Sequence, residues 1–178
     1  SKTALGFAHC ADARTGIEVI GVTSPANHAF THAIGCYDEV ICYEDIATVP
    51  SQAPIISIDM SGNGAVLARV HTHFGAQLRH SMAIGRSHHD APPRAEGLPG
   101  PRPAFFFAPT QVKKRLQDWG PRGYQERTAS ALTQFVESSR PWLTVVRSNG
   151  AGAAASIWRE VHAGHATPTM GYVVSMWD

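Results

Sequence analysis

The sequence has few cysteines, no long hydrophobic run and almost no net charge. Its three cysteines (Cys10, Cys36 and Cys42) form no CxxC pair, which excludes a disulfide framework and a zinc knuckle. No apolar run approaches the ~20 residues that a membrane helix needs, and no segment follows the order of a signal peptide. A formal charge of +1 gives no reason to expect nucleic acid or an anionic membrane as partner. We therefore expect a cytoplasmic protein.

The composition is that of a globular chain. Apolar residues make up 43% and charged residues 16% of the chain. Its length of 178 residues is enough for one domain with a substantial core. We predict a single nucleotide-binding type of domain over residues 1–178. Within it we expect a Rossmann core (1–85), a proline-rich loop (86–109) and a C-terminal segment of helices and a closing strand (110–178).

Apolar periodicity in the first half alternates between helix and strand. The predicted helices are 2–13, 25–35 and 63–75, and the predicted strands are 16–24, 38–45, 53–62 and 78–85. Ser24 is predicted to cap the second helix, with Pro25 as its first residue. This spacing predicts an α/β, Rossmann-like fold, with a mostly parallel sheet and helices on both faces.

The second half has a different pattern. Residues 86–109 are dense in proline and glycine, which predicts a long loop. Within it, "AFFFAP" can stack near a ligand ring or fill the core, and we expect core. The segments that follow are two predicted helices (near 109–118 and 121–139), a strand (142–146), a helix (152–164) and a closing strand (171–178).

The chain opens on "SKTALG", which reads as the end of a phosphate-binding turn that runs into a helix. In a dinucleotide-binding fold, backbone amides at such a helix start hold the pyrophosphate. Ser1, Lys2, Thr3 and Ala4 are therefore candidate phosphate contacts. A ragged terminal helix with a serine cap is the alternative.

The turn after the first predicted strand, "VTSPANH", is the candidate ribose site. An acidic residue at this point is typical of NAD binding, and polar or basic residues are typical of NADP binding. Residues 22–28 contain no carboxylate, so Thr23, Ser24 and Asn27 favour NADP, with NAD as the alternative. No Lys or Arg lies between Arg14 and Arg69, so His28 or a distant residue would have to supply the cation for a 2′-phosphate.

The segment "GIEVIGVTSPANHAFTHAIGCYDEVICYED" resembles the ribose-binding strand, helix and next strand of medium-chain dehydrogenases/reductases of the quinone-reductase type. The matching positions of its second half are Ile34, Gly35, Asp38, Glu39, Val40, Ile41 and Tyr43. More narrowly, "SKTALG", "TSPAN", "DMSGNG", "HFG", "LPGPRPAFFFAP" and "DWGPRGYQ" resemble, in that order, a branch known as the domain of unknown function 2855 family.

The resemblance implies the cofactor-binding part of an NAD(P)-dependent oxidoreductase that acts on a small-molecule substrate. Members of the branch carry an N-terminal substrate domain and a first strand before "SKTA". We therefore expect an N-terminally truncated piece that is inactive alone and lacks the central strand of its sheet. The resemblance also allows a homodimer joined at sheet edges. It implies no catalytic metal, because the superfamily's zinc ligands lie in the missing domain.

The strand "LRHSMAIG" resembles the one that ends near the nicotinamide, so Gly85 and Arg86 are candidate contacts on that side. His88 and His89 are the candidate proton donors, because imidazole titrates near neutrality. Ten histidines also raise the question of a metal. Apart from His88, His89 and the adjacent Asp90, no cluster has ligand spacing. We expect no metal site and histidines that face solvent.

Two alternative functions from other classes of protein remain open. In a P-loop nucleotide-binding protein, "SKT" would end the phosphate loop and Asp59 would hold magnesium. A Rossmann-like domain without catalysis would serve binding or assembly. Titration with NADPH, NADH and ATP distinguishes the three.

Overall fold

The structure is a computed structural model that describes residues 1–85 and 96–177. The helices are α1 (Lys2–Asp12), α2 (Pro25–Ala33), α3 (Gly64–Phe74), α4 (Ala108–Ser139) and α5 (Gly150–His162), with 3-10 helices at Tyr43–Thr48 and Gly75–Gln77. The strands are β1 (Ile20–Thr23), β2 (Glu39–Cys42), β3 (Ile55–Asp59), β4 (Leu78–Ala83), β5 (Ala104–Phe105), β6 (Thr144–Asn149) and β7 (Met170–Ser175). Helices and strands alternate as the periodicity predicts.

All strand pairs in the described part of the chain are parallel, which confirms the predicted α/β class and is consistent with a Rossmann-like fold. They form three small sheets, in the orders β1-β2, β3-β4-β5 and β6-β7. By its internal contacts the chain divides into two compact units, residues 1–129 and 130–178. The first unit holds every candidate site residue that the structure describes.

Helix starts follow the local chemistry of the sequence. The Ser1 hydroxyl accepts a hydrogen bond from the Ala4 amide, and the Asn63 side chain accepts from the Ala65 and Val66 amides. Ser24 occupies the predicted N-cap position before Pro25, but its side chain accepts no backbone amide there. The fixed φ of proline already suits the first helical turn, so α2 begins without that bond.

One apolar cluster forms the core of the first unit. Its buried members are Ile41, Ile46, Val49, Phe74 and Leu78. They come from β2, the 3-10 helix and the segment after it, the end of α3 and the start of β4. Ile20 and Ile55, the first residues of β1 and β3, pack against the same cluster. Strands of two separate sheets therefore share one core.

The proline-rich stretch differs from the prediction. It contains the short strand β5, whose two residues pair with Met82 and Ala83 of β4. Phe105 and Phe107 are 71% and 56% exposed, so the expectation that they fill the core is wrong. A two-residue strand offers one outward position on each face, and β5 lies at the sheet edge, where little can cover it.

Helix α4 contains a break that corresponds to the two predicted helices. Gly120 has φ 71° and ψ 167°, a conformation that is essentially confined to glycine, and Pro121 follows it. The indole ring of Trp119 lies between residues from both sides of the break, with the Arg115 and Arg127 guanidinium carbons 5.0 and 4.9 Å from its centroid. These cation–π contacts stabilise the kink.

The second unit is built around the β6–α5–β7 segment. Six consecutive residue pairs join β6 to β7, and the Tyr172 hydroxyl donates a 2.7 Å hydrogen bond to the Glu160 carboxylate of α5. This bond and the adjacent carboxylate raise the pKa of Tyr172. Val145 and Val173 remain about half exposed on the strands.

Gly21 of β1 lies close to the ring of Tyr37. A Cβ at this position would lie 2.9 Å from Cδ1 of Tyr37, whose burial raises its pKa to about 12. We expect Gly21→Ala to lower the free energy of unfolding by about 1–3 kcal/mol, because the partly buried ring must shift. Urea denaturation measures this.

Gly152→Ala in α5 is the matched control. No atom lies within 4 Å of its Cβ position and its φ is not positive, so the change is expected to be neutral or slightly stabilising. Equal unfolding midpoints for Gly21→Ala and the parent would contradict the tight Tyr37 contact.

Candidate functional site

Met60 joins two predicted site segments. The Ser1 hydroxyl lies 4.0 Å from the Met60 sulfur. A Cβ built on Gly85 would lie 3.7 Å from the Met60 carbonyl oxygen, which is ordinary van der Waals contact. The start of α1, the residue after β3 and the residues after β4 therefore meet at one point, at the carboxyl ends of the strands. Ligands of open α/β sheets bind at such an edge.

The first turn of α1 offers donors to this point. The Ala4 and Leu5 amides donate to the Ser1 carbonyl, whereas the amides of Lys2 and Thr3 precede the first intrahelical bond. No acidic residue lies in this turn. Lys2 is exposed at the surface, although partial desolvation lowers the pKa of its ammonium group. An anion placed here would meet free amides and the positive end of the helix dipole.

The turn after β3 is held by Asp59. Its Oδ1 atom accepts hydrogen bonds from the Ser61 amide (2.9 Å), the Ser61 hydroxyl (2.8 Å) and the Gly62 amide (3.0 Å). The Ser61 hydroxyl in turn accepts from the Asn63 amide at 3.1 Å. These hydrogen bonds fix the backbone of the turn that contains Met60, the residue that contacts Ser1.

The other carboxylate oxygen of Asp59 has a different environment. Within the described residues, Oδ2 is buried and has no hydrogen-bond partner. Burial of Tyr43 is the largest cause of the raised pKa of its hydroxyl, and the negative charge of Asp59 is the next. A buried acceptor without a donor costs free energy, so this oxygen is an available acceptor beside Met60. The sequence carried the signal, a carboxylate that ends a buried strand just before a Ser-Gly-Asn turn.

The predicted ribose turn is polar and ordered by its own side chains. The Asn27 amide donates to the Ser24 hydroxyl at 3.2 Å, and the Thr31 hydroxyl donates to the Asn27 carbonyl at 2.8 Å. His28 Nε2 lies 2.9 Å from the Val40 carbonyl, so this nitrogen donates to β2. Only Nδ1 of His28 is then left, and it can donate to a phosphate only in the imidazolium form of the ring.

The structure groups the predicted residues in two places. Ser1 and Gly85 meet at Met60, with Lys2, Thr3 and Ala4 in the same helical turn. Thr23 ends β1, and Ser24 and Asn27 bond to each other at the start of α2. Arg86, His88 and His89 lie outside the described residues.

His71 is a buried residue that the sequence analysis missed. Its ring is 0% exposed, with Nδ1 2.7 Å from the Pro99 carbonyl and Nε2 2.9 Å from the Ser81 hydroxyl. The expectation that the histidines face solvent is wrong here. His71 lies four residues after Leu67 and three before Phe74, both buried, so helical spacing would have placed it on the apolar face of α3.

Residues 1–85 and 96–177 contain no group of three or more His, Cys, Asp or Glu side chains that could hold a metal ion. No helix in this described part of the chain has the length and apolar character needed to cross a membrane.

Comparison with known families gives one assignment. The family model described as "Protein of unknown function (DUF2855)" matches residues 1–167. The chain belongs to this family. No curated protein and no solved structure matches the chain. The resemblance to the 2855 branch is therefore confirmed, while the nucleotide-binding role remains a prediction.

Proposed function

We propose that this DUF2855 chain binds a pyridine dinucleotide, NADPH in preference to NADH, as the cofactor-binding part of an oxidoreductase. The contact of Ser1 and Gly85 with Met60 carries the proposal, because it joins a helix start to the carboxyl ends of β3 and β4. The pyrophosphate would bind the amides of the first turn of α1, and the nicotinamide would extend toward Gly85.

The preference for NADPH is supported by the turn after β1. It offers the Thr23 and Ser24 hydroxyls and the Asn27 amide, and residues 22–28 contain no carboxylate that would repel a 2′-phosphate. The reaction proposed for the complete protein is hydride transfer from NADPH to an activated carbonyl or alkene. The chain contributes binding and orientation of the cofactor.

Titration of the chain with NADPH, NADH and magnesium ATP, followed by thermal shift, tests the proposal. We expect stabilisation by NADPH above NADH. Stabilisation by magnesium ATP alone would support the P-loop reading instead. No shift with any of the three would contradict cofactor binding and favour a binding or assembly role without catalysis.

Ser24→Asp tests the ribose turn. A carboxylate here would repel a 2′-phosphate and accept hydrogen bonds from an unmodified ribose. We expect the Kd for NADPH to rise about tenfold or more, equivalent to about 1.4 kcal/mol, with little change for NADH. Aspartate is also a good N-cap, so α2 is expected to keep its stability.

Thr133→Asp is the matched control for added charge, because Thr133 is exposed on α4 in the second unit. It is expected to leave both dissociation constants unchanged. Equal weakening of NADPH binding in both variants would show that net charge, and not the ribose turn, is responsible.

A further inference from the structure

Positive charge is concentrated in residues 102–127, which include β5 and the first part of α4. This segment has a formal charge of +4, whereas the whole chain has +1. Its acidic residues are Asp118 and Glu126, and each pairs with a basic neighbour. The basic residues are Arg102, Lys113, Lys114, Arg115, Arg122 and Arg127. The low net charge of the chain therefore hides a local excess that attracts anionic surfaces.

Exposed phenylalanine side chains lie in the same segment. Phe105 and Phe107 are 71% and 56% exposed. Between them, the Phe106 amide donates a 2.8 Å hydrogen bond to the Ala83 carbonyl, so the backbone continues along β4. Residues two apart in an extended segment point to the same side. Neighbouring apolar side chains that face solvent together mark an interaction site more often than a single one does.

The first part of α4 carries an apolar face that follows directly after Phe107. Leu116 and Trp119 on this face are 37% and 39% exposed. The apolar members follow the helical spacing i, i+4, i+8 and i+11, and they are Ala108, Val112, Leu116 and Trp119. A shallow depression runs beside them and is lined by Ala108, Pro109, Val112, Lys113, Leu116 and Gln117. Lysine and apolar side chains therefore share one surface.

We propose that this surface docks on an anionic lipid bilayer. We call it the basic aromatic face, and it consists of Phe105, Phe107, Lys113, Lys114, Leu116 and Trp119. Apolar side chains enter the headgroup region of a bilayer, while Lys and Arg side chains bind anionic headgroups at its surface. Neither signal alone gives stable anchoring, but an apolar insertion combined with a basic patch does.

Two observations favour a bilayer over a peptide or a nucleic acid. The residues that line the depression all belong to α4, so they form one side of a surface and not the two walls that grip a peptide. The Trp119 ring is already covered by the Arg115 and Arg127 guanidinium groups, so its faces are not open for a stacked base. An indole with cations beside it suits the boundary between apolar chains and charged headgroups.

Co-sedimentation with lipid vesicles tests the proposal. Vesicles of phosphatidylcholine alone are compared with vesicles that also contain phosphatidylglycerol. We expect a partition coefficient about tenfold or more higher for the anionic vesicles, and a decrease as salt is added, because salt screens exposed charges. Amide hydrogen exchange at residues 105–119 is expected to slow with the anionic vesicles, while exchange at residues 150–162 stays unchanged.

Two double variants separate the apolar and the electrostatic contributions. Phe105→Ser with Phe107→Ser removes exposed apolar area, and Lys113→Gln with Lys114→Gln removes two charges. Each is expected to weaken binding to anionic vesicles by about tenfold or more, because anchoring needs both signals. All four side chains are exposed, so the fold is expected to be retained, and circular dichroism checks this.

Matched controls come from the second unit. Arg147→Gln with Arg159→Gln removes the same number of positive charges at two exposed positions. Trp177→Ser removes an aromatic side chain that is 83% exposed. Both are expected to bind the anionic vesicles as the parent does.

Three outcomes would overturn the proposal. The first is equal partition into neutral and anionic vesicles. The second is equal weakening by the lysine and the arginine variants, because net charge and not the basic aromatic face would then be responsible. The third is binding of polyuridylic acid or polyglutamate without binding of vesicles, which would assign the face to a nucleic acid or an acidic protein. The face shares no residue with the candidate cofactor site, so failure of NADPH binding would leave this proposal intact.

Discussion

Replacing His71 with alanine is expected to lower the free energy of unfolding by about 3–5 kcal/mol, a large part of the stability of an ordinary domain. The imidazole is fully buried between the Pro99 carbonyl and the Ser81 hydroxyl. Because the carbonyl can only accept, Nδ1 carries the hydrogen, and in the neutral ring Nε2 accepts from Ser81. Alanine would leave a cavity and would leave the buried Ser81 hydroxyl without its partner.

The same change is expected to release the segment around Pro99 from the sheet. A Cβ at Gly100, whose φ is 80°, would lie 2.8 Å from the Gly75 carbonyl, so this segment packs tightly at the start of β4. Urea denaturation gives the loss of stability, and hydrogen exchange at residues 96–103 gives the local effect. His165→Ala, at an exposed histidine in the second unit, is the control and should change stability by less than about 0.5 kcal/mol. An equally small effect at His71 would contradict the buried pairing.

Asp59→Ala is the second large effect, with an expected loss of about 3 kcal/mol. The substitution removes the acceptor of three hydrogen bonds, two of them from backbone amides, and each bond to a charged group contributes about 1.5–3 kcal/mol before the turn relaxes. Asp59→Asn keeps an oxygen at the Oδ1 position, so we expect most of the stability to remain. Asp12→Ala, an exposed carboxylate at the end of α1, is the control and should be close to neutral.

The Asp59→Asn variant also has an electrostatic readout. Burial of Tyr43 is the largest cause of its raised pKa, and the charge of Asp59 is the second. Removing it is expected to lower that pKa toward the ordinary value, while the effect of burial remains. Titration of tyrosinate absorbance measures the shift. An unchanged pKa would mean that Asp59 and Tyr43 are electrostatically independent, contrary to the structure.

The order of elements could be predicted because local signals mark their ends. Pro25 starts α2 as predicted, and α3 lies within the predicted range 63–75, with Gly75 at its end. The Asn63 cap of α3 is a finding of the structure. Strand β5 could not be predicted in this way. Its two residues lie in a proline-rich stretch and are ordered by pairing with β4, a contact that local periodicity does not contain.

The candidate site was predictable in part. Strand ends in an α/β pattern meet at one edge, which is why Ser1 and Gly85 could be named in advance. Met60 was missed because its role depends on contacts across the sheet. Asp59 was named only as the magnesium ligand of the P-loop alternative, and its role in holding the turn depends on a hydrogen-bond network that the sequence does not show. Ser24 was expected to cap α2 through a backbone amide, but its hydroxyl accepts from Asn27 instead. Local rules identify the donors and acceptors in a turn, and packing selects which of them pair.

The separation into three sheets has a consequence for cooperativity. Every ladder among the described residues joins strands that are neighbours in sequence, β1 with β2, β3 with β4, β4 with β5 and β6 with β7. Closing such short loops costs little entropy, so each ladder can form rapidly on its own. The same locality means that, among the described residues, no backbone ladder couples one sheet to the next. Within the first unit, side-chain packing in the cluster that Ile20 and Ile55 contact must therefore couple the sheet β1-β2 to the sheet β3-β4-β5.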